Sequence, residues 1–115
     1  MRDWTTIRER YLRDDVSVRL GGLAANLSRI KSFANNENNK VLVESLIDES
    51  KHFIEWTARE TEIETAAKLV ELQVELAILQ IKLDKVWPDT NQRKQISEQS
   101  NAWSQQVLMV SGLLG

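Results

Sequence analysis

The chain contains no cysteine, so a disulfide framework, a thiolate zinc site, an iron–sulfur cluster and a cysteine nucleophile are all excluded. A single histidine, His52, restricts metal chemistry almost as far. One proline and four glycines among 115 residues fall well below the roughly 12% these two types ordinarily supply, which points to long helices and few turns. Neither sign of charge dominates. Fifteen Lys and Arg against seventeen Asp and Glu leave a net charge of −2, without the basic footprint of a nucleic-acid binder. No apolar run approaches the roughly 20 residues of a membrane span, and the polar opening Met1–Thr6 has no signal-peptide pattern. The expectation is one domain, residues 1–115, in the cytoplasm, with no nucleic-acid or membrane partner.

What the sequence does contain is helical periodicity. Trp4, Ile7 and Tyr11 lie on one stripe of a short helix capped by Asp3 and ending near Asp14-Asp15. Val16, Leu20, Leu23, Leu27, Ile30 and Ala34 then repeat at 4,3,4,3,4, the spacing of a bundle seam. Asn35-Asn36-Glu37-Asn38-Asn39 is a turn by composition, since asparagine tolerates left-handed backbone and caps helices. Val43, Leu46, Ile47, Ser50, Phe53, Ile54 and Thr57 share the arc of a further helix, with a break expected between Thr57 and Thr61. Thr61-Glu62-Ile63-Glu64 fits a capping box that restarts the chain.

The helix from about Thr61 to Trp87 is the most apolar, so it is either central or also in contact with another chain. Pro88 ends it, and Asp89 or Thr90 caps a last helix carrying Ile96, Ser100, Trp103, Val107, Val110 and Leu114 at 4,3,4,3,4. The predicted fold is all-α, an antiparallel up-and-down four-helix bundle with a short N-terminal helix laid across it.

Few constellations carry chemistry. Glu49-Ser50-Lys51-His52 has the Glu-x-x-His spacing of dimetal bundles, but a second copy of that pattern is required and no other histidine exists. His52 also falls outside its helix's apolar arc, which places it on the surface near Asp48. Gln73, Gln80 and Asp84 form a polar strip between two apolar stripes, Leu69-Leu72-Leu76-Leu79-Leu83 and Val70-Val74-Ala77-Ile81. Two stripes imply two packing partners. The strip is expected to hydrogen-bond Ser50, Thr57, Ser100 or a buried water and so fix helix register; alternatively it lines a small-ligand pocket between helices. Gly21-Gly22 interrupts no apolar spacing, so close approach of another helix is expected there. Residues 1–36 carry seven basic and four acidic side chains, and residues 37–84 carry eleven acidic and five basic. Attraction between neighbouring helices accounts for this; a small basic face around Arg8, Arg10, Arg13 and Arg19 is the alternative.

Trp103 is expected in the core, Trp87 at the bundle end and Trp4 docking the short helix, while Trp56 lies at the edge of its arc. After Glu98 no charged residue follows, and Leu108, Met109 and Leu113 lie off the Trp103 stripe. With Ile78 and Trp56, these residues form the expected interface, because apolar surface in excess of one bundle's needs marks association. No serine elbow, histidine-based triad or Gly-rich phosphate loop occurs, so no catalytic, cofactor-binding or metal residue is assigned and an enzyme is not expected.

Arg19-Leu20-Gly21-Gly22-Leu23-Ala24-Ala25-Asn26-Leu27, together with Trp103-Ser104 and Ser111-Gly112-Leu113-Leu114, resembles small uncharacterised helical proteins of cyanobacteria. The resemblance implies a cyanobacterial, cytosolic setting of unknown role and brings no activity that could be carried over. The functional expectation is a non-enzymatic module that self-associates, a dimer being favoured, or binds a protein partner. The alternative is a small-molecule carrier or sensor using Gln73, Gln80 and Asp84.

Overall fold

The scarcity of glycine and proline is realised as helix. The computed structural model describes residues 2–112, which form α1 (Trp4–Leu12), α2 (Val16–Phe33), α3 (Lys40–Thr57), α4 (Ile63–Val86) and α5 (Thr90–Ser111). Single 3-10 turns, Glu37–Asn39 and Ala58–Glu60, precede α3 and α4. No strand occurs among the described residues, and no helix is long and apolar enough to cross a membrane.

Three aspartates decide where helices begin, because a carboxylate ahead of the first turn accepts amide hydrogens that have no partner within the helix. Asp3 Oδ1 accepts from the Thr6 amide at 3.1 Å, Asp15 Oδ1 from the Val18 amide at 3.1 Å, and Asp89 Oδ1 from the Asn91 amide at 2.8 Å. The expected capping box at Thr61 does not form. The Thr61 hydroxyl donates back to the Ala58 carbonyl at 2.6 Å, closing the 3-10 turn, and α4 starts after Glu62 without a side-chain cap. At the other end of α4, the buried Trp87 indole N–H donates to the Glu37 carbonyl at 2.7 Å, tying this reversal to the one before α3.

The inner positions belong to α2, which packs along both α3 and α5, and to α3, which packs along both α2 and α4, whereas α4 meets α5 at few points. Leu20, Leu23, Leu27 and Ile30 of the α2 seam are buried together with Val43, Ile47 and Ile54 of α3 and Ile96, Trp103 and Val107 of α5. The α2–α5 contact is close because small side chains line it. Ser104 Oγ donates to the Ala24 carbonyl at 2.8 Å and Ser97 Oγ to the Lys31 carbonyl at 2.8 Å. Gly112 ends α5 with φ of +82°, and a Cβ there would stand 3.5 Å from Ser17 Oγ. Numbers therefore fall along α5 as they rise along α2.

α1 is docked by rings. Tyr11 stacks on Phe53 at 3.8 Å between centroids and donates its hydroxyl to the Arg19 carbonyl at 2.6 Å. Burial pushes its phenol up to about 12. The close approach expected at the glycine pair is not found: the nearest atom to a Gly22 Cβ would be Tyr11 Cε1 at 3.7 Å, an ordinary van der Waals contact. Trp4 stacks on His52 at 3.9 Å and meets Trp56 edge-on, so His52 is half-buried under α1 rather than on the open surface. Arg19 is no part of a basic face. It is buried, and its guanidinium donates to Glu60 at 2.6 and 3.2 Å and to the Asp14 carbonyl at 2.8 Å. The hydrogen bonds to Arg19 hold the Glu60 carboxyl below its ordinary range. Arg8, Arg10 and Arg13 stay exposed.

Candidate interaction surface

α4 has two apolar faces with different fates. Leu69, Leu72, Leu76, Leu79 and Leu83 are buried against the rest of the chain. Turned away from them, Ile63, Ala67, Val70, Val74, Ala77 and Ile81 repeat at 4,3,4,3,4, the same spacing as the buried seam of α2. Among the described residues, no helix lies against this second seam. Ile63 and Ile81 keep 86% and 83% of their surface, Val74 keeps 54% and Val70 keeps 48%. Isolated exposed hydrophobics are ordinary on a protein surface, but a seam that runs the length of a helix is not. Of its members, Val70, Val74, Ala77 and Ile81 were legible as a second stripe, whereas Ile63 precedes the dense part of the pattern and was not singled out.

The polar strip beside this seam is engaged with α3. Gln73 Nε2 donates to the Lys51 carbonyl at 3.1 Å, and Lys51 Nζ donates to Gln80 Oε1 at 2.6 Å. Lys40 Nζ pairs with Asp84 and, at 3.3 Å, with Glu44; the bond to Asp84 raises the Lys40 ammonium above its ordinary range. The expected acceptors Ser50, Thr57 and Ser100 are not used. These three are fully buried on the core faces of their helices, while Lys51 lies one residue round α3 toward α4. The Ser50 and Ser100 hydroxyls have no hydrogen-bond partner among the described residues.

On its other flank α4 stands off α5 and leaves two grooves, of about 600 and 260 Å³. Trp103 and Glu75 line both and are joined by a hydrogen bond from the indole N–H to Glu75 Oε2 at 2.7 Å. Lys68, Glu71 and Gln106 give the larger groove a polar rim around Leu72 and Val107. Neither groove includes Gln73, Gln80 or Asp84.

The structure divides the expected interface residues. Ile78 lines the smaller groove and Met109, 77% exposed, lines the larger, so these two share the α4–α5 flank. Leu108 is partly buried and packs against the core. Trp56 is half-buried among Trp4, Tyr11, Phe53 and His52 under α1, on a different part of the molecule. Leu113 lies outside the described residues. Glu49 and His52 do not converge on one site. Glu49 accepts from Asn26 Nδ2 at 3.0 Å and from Arg2 at 2.5 Å, while His52 Nδ1 meets the Asp48 carbonyl at 2.8 Å. Among the described residues no group of three or more His, Asp or Glu is arranged to hold a metal ion.

What this arrangement can do is bury apolar surface against another molecule. A scan against protein-family models, a search of curated proteins and a search of solved structures each find no match to this chain.

Proposed function

We propose that this chain is a non-enzymatic, self-associating interaction module, in which α2 to α5 form an antiparallel up-and-down four-helix bundle and a second copy covers the outer face of α4. The observation that carries the reading is the seam Ile63, Ala67, Val70, Val74, Ala77, Ile81, which has bundle spacing and, among the described residues, no helix on it. The dimer remains the favoured oligomer, in the cytosolic and cyanobacterial setting that the resemblance implies. The carrier alternative has less support, because Gln73, Gln80 and Asp84 are spent on Lys51 and Lys40.

Native mass spectrometry and light scattering across a concentration series test the reading. The expected result is a dimer or larger species that Val74→Glu or Ile81→Glu converts to monomer without loss of helix. A bare monomer at every concentration overturns self-association. A monomer carrying extra mass favours the carrier.

A further inference from the structure

We infer that α4 pairs antiparallel with α4 of a second copy, related by a two-fold axis that crosses the outer seam between Val74 and Ala77. The inference rests on the self-association reading above and specifies its geometry. An exposed seam at alternating three and four spacing is one half of a two-helix contact, in which side chains of one helix fill the spaces between those of the other. A seam that covers itself under two-fold symmetry closes the assembly at two copies, because each copy has spent the same patch.

Charge selects the direction. Along one edge of the seam, Glu64, Glu71, Ile78 and Lys85 follow one another at intervals of seven, acidic at the start of α4 and basic at its end. Antiparallel pairing sets this edge against its own reverse, so opposite charges come together. The other edge carries Gln73 and Gln80, which are already committed to Lys51 of α3. A parallel pair would lay the charged edge along that occupied glutamine edge and would set the acidic starts of both helices side by side.

Charge also selects the register. Setting Val70 opposite Ile81 and Val74 opposite Ala77 of the other copy brings Glu64 beside Lys85 on both sides of the axis, with Ile63 falling opposite Pro88 and left uncovered at each end. Sliding by one heptad, to put Ile63 opposite Ile81, would face Glu71 with Glu71. The groups this pairing needs are available: Val70, Val74 and Ile81 are exposed, as are Glu64 and Lys85.

The absence of native cysteine permits a direct test by oxidative cross-linking of single-cysteine chains. In this register, two copies of residue 70, or two copies of residue 81, stand roughly 16 Å apart along the axis at about 1.5 Å per residue, beyond disulfide reach. A mixture of Val70→Cys and Ile81→Cys chains is therefore expected to give the mixed disulfide, and each chain alone none. Lys85→Glu is expected to weaken the dimer roughly tenfold, and adding Glu64→Lys to restore it.

A wild-type chain that stays monomeric overturns both the inference and the reading beneath it, and leaves the seam to a different partner. A dimer in which Val70→Cys chains cross-link to themselves has parallel helices and overturns the inference alone. A dimer that Ile81→Glu leaves intact uses another face and overturns both the inference and the assignment of the interface to α4, while self-association itself stands.

Discussion

The two flanks of α5 meet the rest of the chain in different ways. Toward α2 it presents Ser97, Ser100 and Ser104, small enough for the backbones to approach until two hydroxyls reach main-chain carbonyls of the neighbouring helix. Toward α4 it presents Trp103, Gln99 and Gln106, and the helices stand apart with grooves between them, joined across the gap by the Trp103–Glu75 hydrogen bond. Side-chain size, rather than apolar content, sets how tightly two helices close. The most apolar helix of the molecule is consequently less enclosed than the less apolar α2, and its surplus hydrophobicity faces outward.

This contrast can be broken by mutation, and the largest effect is expected in the α2 seam. Leu27 is fully buried, so Leu27→Ala should lower the unfolding free energy by about 2–5 kcal/mol in chemical denaturation. A smaller loss, about 1–3 kcal/mol, is expected from Ser104→Val, which forces a branched side chain into the close α2–α5 contact and removes the bond to Ala24. If Ser104→Val is neutral, the small residues do not determine the spacing. Gln73→Ala should cost about 0.5–1.5 kcal/mol, the worth of one hydrogen bond to Lys51. Least of all, Ile81→Ala, measured below the concentration of association, should stay within about 0.5 kcal/mol of wild type. A loss at Ile81 as large as that at Leu27 would mean that the chain itself covers the outer face of α4.

Much of the helical layout was legible from spacing and caps. Asp3, the asparagine turn and Trp87-Pro88 all mark real boundaries, because capping and proline act locally and need no knowledge of tertiary packing. Periodicity also revealed the second stripe of α4. It could not reveal which neighbour each stripe would meet, and so could not show that α2 and α3, rather than α4, would take the inner positions. The same limit applies to polar contacts across helices. Nothing local connects Arg19 to Glu60, or Gln73 to the Lys51 carbonyl, since each pair is separated by more than twenty residues. Thr61 misled for the opposite reason: its hydroxyl could locally either accept from the Glu64 amide or donate to the Ala58 carbonyl, and the 3-10 turn behind it won.

The serines of α5 carry a further consequence. Their acceptors on α2 are backbone carbonyls, which every amino acid possesses, so the alignment of these two helices is encoded on one side only. Lys31, whose side chain is exposed, can change identity and still offer its carbonyl, whereas replacing Ser97 by any residue without a side-chain donor loses the bond. A mutational scan of the pair would therefore show a strict helix facing a permissive one at that point, although both halves of the bond are structurally equal.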